Sequence, residues 1–74
     1  MEPIHIADIP RNKTEIIRVE ISEYQGKKLL NIRTWYDNEG EFAPTKKGVS
    51  LNIEKFNELK DAILKAEEII KEKF

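Results

Sequence analysis

The sequence has no cysteine and a single histidine. A disulfide framework is therefore excluded, and a zinc site, which needs several thiolate or imidazole ligands, nearly so. Nothing points to an oxidising compartment. No apolar run approaches the roughly 20 residues of a membrane-spanning helix. Met1–Lys13 lacks the basic start and apolar middle of a secretory signal. A soluble, cytoplasmic protein is expected. His5 has no partner nucleophile, and neither a glycine-rich phosphate loop nor a metal-ligand spacing occurs. The expectation is no catalytic residue, no cofactor and no metal, hence not an enzyme. Strong charge of either sign is also missing. The net charge of −1 argues against indiscriminate attraction to polyanions.

The lack of staples matters because the chain is short. Its 74 residues make one domain, and a domain near this size buries only about 60% of its unfolded surface. Dimerisation is the remaining common route to more burial. Charge is also unevenly spread. Residues 1–23 are net −2, residues 24–48 net +2 and residues 49–74 net −1. The positive excess falls where a groove would focus it.

What is present concentrates in Tyr24–Leu51, which holds all three glycines, the only tryptophan, both tyrosines and five of the thirteen lysines and arginines. Before it, residues 1–13 carry Pro3 and Pro10 and read as an extended arm with at most a short edge strand, since proline cannot donate to a ladder. Residues 14–74 are the domain proper. Glu15–Tyr24 alternates Ile17, Val19 and Ile21 with Arg18, Glu20 and Ser22, the period of a strand, and Tyr24 shares the polar face. Gln25-Gly26 predicts a tight hairpin turn. In the next strand, Leu29–Tyr36, Leu30 and Ile32 form one face and Asn31, Arg33 and Trp35 the other; Tyr36 falls with Leu30 unless a bulge re-aims it. Asp37–Gly40 predicts a second turn. A short strand Glu41–Pro44, a basic loop Thr45–Gly48 and a last short strand Val49–Leu51 follow, with Gly48 marking a bulge or a close backbone approach. Phe42 is assigned to the core.

Asn52 predicts a helix N-cap, and Leu51 with Phe56 fits a hydrophobic staple. The helix Ile53–Lys73 would span about 30 Å. Its apolar residues repeat at heptad spacing through Phe56, Leu59, Ile63, Ala66 and Ile70, widened by Ala62 and Ile69. A stripe that wide can cover a sheet and also meet a second helix. A symmetric homodimer is expected, with Leu59, Ala62, Ile63, Ala66, Ile69 and Ile70 at the interface.

On the polar face, Tyr24 and Trp35 are placed to stack on bases, each stack being worth about 1–3 kcal/mol. Strand aromatics more often pack in cores, but these two lie opposite the aliphatic set. Lys27, Lys28, Arg33, Lys46 and Lys47 are candidate phosphate ligands. Lys28 reads equally well as an ordinary solvated lysine, whereas Arg33 beside Trp35 is the more telling pairing.

The turn YQGKK, the strand NIRTWY, EGEFAP, KKGVSLN and the helix start IEKFNELKDAI also carry a resemblance. In order and spacing they resemble the single-stranded-DNA-binding core of the positive cofactor four family of transcriptional coactivators, over about residues 18–63. The resemblance implies an α+β fold in which a curved four-stranded antiparallel sheet precedes one long C-terminal helix (ββββα). It also implies a homodimer whose two channels hold single strands with little sequence preference. Tyr24 matches the family's first stacking aromatic; Lys27, Arg33, Lys46 and Lys47 match its cations. Its second stacking aromatic, a tryptophan, aligns with Tyr36, while this chain carries Trp35 one position earlier, so either fits the role. Gln25 and Ala43 stand where basic residues are common, which implies weaker, less salt-dependent binding. No Ser-rich regulatory region precedes the core, so a stand-alone prokaryotic or phage-like version is expected.

The function expected is binding of single-stranded DNA, in transcription regulation or protection of melted DNA, with the transcription machinery as a further partner. Location would be the nucleoid in a prokaryote and the nucleus in a eukaryote. The alternatives are RNA binding and a protein-interaction module on the same fold.

Overall fold

The computed structural model describes residues 1–74. Four strands, β1 (Ile4–Pro10), β2 (Glu15–Tyr24), β3 (Lys27–Asn38) and β4 (Glu41–Asn52), are followed by a 3-10 turn, Ile53–Lys55, and a helix, α1 (Phe56–Lys73). The strands form one antiparallel sheet in sequence order. The ββββα architecture is the one anticipated, with its strands divided differently. Ile4–Pro10 is a full edge strand, and residues 41–52, expected as two short strands around a loop, are one strand with an irregularity inside it.

Local chemistry sets the connections. Gln25 and Gly26 have φ of 51° and 79°, and Glu39 and Gly40 have φ of 54° and 94°. Two successive positive φ values make turns whose twist matches that of paired strands. Between β1 and β2, the Asn12 side chain accepts hydrogen bonds from the Thr14 and Glu15 amides at 3.0 and 2.9 Å, an Asx-type turn. Asn52 accepts the Glu54 amide at 2.9 Å and so caps the helical segment.

Register divides the sheet into two faces. Val19 pairs with Ile32 and Ile21 with Leu30, while Leu30 and Ile32 pair across with Leu51 and Val49. These aliphatic residues share one face. Helix α1 does not lie over it. Ile53, Phe56, Leu59 and Ile63 instead wall one side of an open apolar cleft of about 540 Å³, whose floor is Val19, Ile21, Leu30 and Ile32, with Ile6 at the edge. Leu30 is the only buried apolar side chain, and no helical residue is buried.

Phe42 is not in the core, contrary to expectation. It is 43% exposed near the β3–β4 hairpin, and its pairing opposite Asp37, in phase with Trp35, puts it on the face away from the cleft.

Candidate nucleic-acid interface

The face opposite the cleft is polar and internally ordered. Asn31 donates to Ser22 Oγ, and Ser50 donates to Asn31 Oδ1, both at 2.6 Å, so one hydrogen-bonded row crosses β2, β3 and β4. Arg33, two residues along β3, pairs with Arg18 on one side and Gly48 on the other. A Cβ on Gly48 would come within 2.5 Å of Ile32 O and 2.7 Å of Arg33 Cα. Only glycine allows the two backbones to approach so closely.

Beyond Gly48 the ladder slips. Arg33 pairs with Gly48 and Trp35 with Pro44, so Thr45, Lys46 and Lys47 stand opposite Thr34 alone. The slip is held at both ends. The Thr45 hydroxyl donates to Thr34 O at 2.7 Å and accepts the Lys47 amide at 3.1 Å, and Arg33 Nη1 donates to Thr45 O at 3.0 Å. The expected basic loop is therefore a pinned bulge that carries exposed Lys46 and Lys47 beside Arg33.

Trp35 lies on this face, covered by Arg18, whose guanidinium carbon is 4.3 Å from the ring centroid and 5.9 Å from that of Phe42. Arg18 in turn donates to the Asp8 carboxylate at 2.8 and 3.2 Å. That hydrogen bond holds the Asp8 carboxyl at about 2, below its ordinary 3.8, and raises the Arg18 pKa.

The other sequence-derived residues are spread out. Tyr24, 65% exposed, pairs with Lys27 at the opposite end of the sheet. Lys27 and Trp35 are eight positions apart on β3, about 26 Å at strand rise. Lys28 is paired with Glu23 at 3.3 Å, and Glu23 also accepts from the Met1 amino group at 3.1 Å. The amino-group hydrogen bond, then that of Lys28, lowers the Glu23 pKa. Tyr36 keeps the phase of Leu30 and Ile32 and so lies on the other face from Trp35, 41% exposed. The structure thus brings together Arg33, Trp35, Lys46 and Lys47 but neither Tyr24 nor Tyr36 with them.

Sequence reasoning did not foresee the Arg18–Asp8 ion pair, the cover of Trp35 by Arg18 or the serine–asparagine row. The parity of Arg18 with Tyr24 was a usable signal for Arg18; nothing local marked Asp8. No group of histidine and acidic residues is arranged to hold a metal, and no helix is long and apolar enough to cross a membrane.

Comparison with known proteins decides the family. The model of the transcriptional coactivator p15 (PC4) family matches residues 11–62, well over half of the chain. The chain belongs to the PC4 family. Among curated relatives, it is 39% identical over 54 residues to the RNA polymerase II transcriptional coactivator KELP of Arabidopsis thaliana, covering 73% of this chain and 33% of that protein. It is 33% identical over 60 residues to KIWI of the same plant, covering 81% and 52%. The matches span a third to a half of these relatives' lengths. Among solved structures, a PC4 homologue from Burkholderia pseudomallei superposes with a TM-score of 0.79 at 28% identity, over 85% of this chain and 86% of that one. The bacteriophage T5 homologue of PC4, implicated in recombination-dependent DNA replication, superposes with a TM-score of 0.70 at 29% identity, over 97% and 88%. The PC4 family is one of DNA-binding coactivators without catalytic machinery, and this chain has its fold.

Proposed function

We propose that this PC4-family chain binds single-stranded DNA across the polar face of its sheet, with little sequence preference, in transcription or in handling of melted DNA. The observation that carries the reading is that Arg33 and Trp35 share one face of β3 and that the pinned bulge holding exposed Lys46 and Lys47 stands next to them in register. Cations hold phosphates and aromatic rings accept bases of any identity, so the expected binding is salt-sensitive and sequence-tolerant. Tyr24 and Lys27, about 26 Å away along β3, extend the track to the far hairpin. Tyr36, on the opposite face, is left out of this track, and Lys28, already paired with Glu23, contributes least.

A second copy of the chain covers the apolar cleft in this reading. The nine cleft-lining side chains are all apolar, and each large one fully buried adds about 1.5–3 kcal/mol. Leu59, Ala62, Ile63, Ala66, Ile69 and Ile70 of α1 would meet the partner. Ile63 and Ile70 are 55% and 57% exposed in the single chain. Sedimentation tests this: a dimer in the wild type and a monomer in Ile70→Asp are expected, and a monomeric wild type refutes it.

The binding test is fluorescence anisotropy of a labelled strand of about 20 nucleotides at two salt concentrations. Submicromolar binding that weakens with salt and exceeds binding to matched duplex is the expected result. A matched RNA strand that competes better than DNA reassigns the ligand. No binding to any oligonucleotide at low salt defeats the reading and leaves a protein-interaction module.

A further inference from the structure

Arg18 and Arg33 are direct cross-strand partners. Like charges in that position repel, and the pair is tolerated because each guanidinium is occupied. Arg33 is held by the Thr45 carbonyl and Arg18 by the Asp8 carboxylate. Without Asp8, two cross-strand guanidiniums would share this face with no carboxylate to offset them, that of Arg18 still over the indole of Trp35 and near the ring of Phe42.

Asp8 reaches this position because β1 is bulged. His5 pairs with Glu20 and Ala7 with Val19, so β1 carries one residue more than β2 across that step. The extra residue inverts the alternation that follows. His5 and Asp8, three apart, thereby fall on one face and meet at 3.0 Å. The next residues of β1 run on in phase, and Asp8 lies directly opposite Arg18.

We propose that Arg18, Trp35 and Phe42 form a nucleotide subsite, and that Asp8 holds its cation in reserve until a phosphate takes the carboxylate's place. Carboxylate and phosphate are alternative bidentate acceptors for the same guanidinium fork. In the free protein Arg18 stands over Trp35 in a cation–π contact and occupies the ring face that a base would use. Exchange of Asp8 for phosphate moves Arg18 off the indole, and the exposed ring accepts a base, with Phe42 beside it. Asp8 is a positioning residue that acts through Arg18; it also makes weak strands and stray anions compete against an internal carboxylate. The subsite rests on the nucleic-acid reading above.

The test is Asp8→Asn in the full chain, titrated with the same labelled single strand. Removing an exposed competing ion pair should tighten binding about two- to fivefold, with the log–log salt slope little changed, because Arg18 meets the same phosphate in both bound proteins. Trp35 is the only tryptophan, so its fluorescence should change at saturation in both proteins. Adding Arg18→Gln should abolish the gain from Asp8→Asn, and Glu72→Gln at the far end of α1 should give no gain. Phe42→Leu, which leaves the ion pair intact, should weaken binding and provides an arm independent of the folding of Asp8→Asn. Wild-type binding with an unchanged affinity in Asp8→Asn overturns the latch. So does a gain that survives Arg18→Gln or is matched by Glu72→Gln. Binding by none of the proteins overturns the nucleic-acid reading itself, and the subsite with it.

Discussion

Gly48→Ala is the substitution through which stability and binding should fail together. Gly48 is not needed for a positive φ; it is needed because β3 and β4 nearly touch there. An added methyl would lie 2.5 Å from Ile32 O, 2.7 Å from Arg33 Cα and 2.9 Å from Arg33 Cβ. Two of these are backbone atoms that cannot rotate away, so the strands must separate locally. Overpacking of this kind costs about 1–3 kcal/mol. For a domain of this size each kcal/mol moves the melting temperature by about 4–8 °C, giving a fall of roughly 5–20 °C. The same separation pulls Thr45 O from Arg33 and loosens the bulge that presents Lys46 and Lys47. Circular dichroism melting at fixed protein concentration reads the first effect, and single-strand anisotropy well below the melting temperature reads the second. A fall of less than about 2 °C with unaltered binding would refute the claim that close approach at Gly48 sets the geometry of the site.

Other perturbations separate the elements. Asn52→Ala removes the cap on the Glu54 amide and should cost about 0.5–2 kcal/mol, seen as a lower denaturation midpoint with an unchanged m-value. Tyr24→Ala should leave the melting temperature within error, because the ring is 65% exposed, yet weaken single-strand binding by about 1–3 kcal/mol; unchanged affinity would remove Tyr24 from the track. The Asp8 carboxyl is depressed to about 2 in the folded chain from 3.8. Its contribution to stability is therefore complete above 3.8 and is lost as pH falls through about 2. Melting curves of wild type and Asp8→Asn should converge over that window and stay apart at pH 5–7.

The parts of the fold legible in the sequence are those set by local chemistry. Gln25-Gly26 and the glycine after Glu39 declare their turns, and Asn52 declares its cap, because each depends on residues within a few positions. Parity likewise put Arg33 and Trp35 opposite Leu30 and Ile32. What was not legible depends on register between distant strands. The single extra residue of β1 breaks the alternation between His5 and Ala7, so Ile4–Pro10 does not count out as a strand. Pro44 and the three residues opposite Thr34 likewise made one strand look like two around a loop. Asp8 meets Arg18 only once β1 and β2 are paired. Phe42 looked like core because strand aromatics usually find cover there, but the register of β4 turns it to the face away from the cleft.

The two bulges differ in size, and the difference sorts side chains between the faces. A strand alternates with period two, so one inserted residue exchanges its faces and two leave them as they were. β1 has one insertion, which brings His5 and Asp8 to the same face. β4 has two: from Arg33 to Trp35 on β3, the pairing moves from Gly48 to Pro44. Val49 and Leu51 therefore stay in phase with Ala43 on the apolar side, and Ser50 and Gly48 with Pro44 and Phe42 on the polar side. The surplus Lys46 and Lys47 are accommodated without exchanging the faces of the residues on either side of them. Deleting one bulge residue, Lys46 for example, should thus do more harm than deleting both lysines. The single deletion forces either Val49 and Leu51 or Ala43 and Phe42 onto the wrong face, whereas the double deletion keeps the phase and removes only the cations. A melting temperature lower for the single than for the double deletion, with binding weakened in both, is the expected order. The reverse order would mean that the bulge is not what holds the two faces apart.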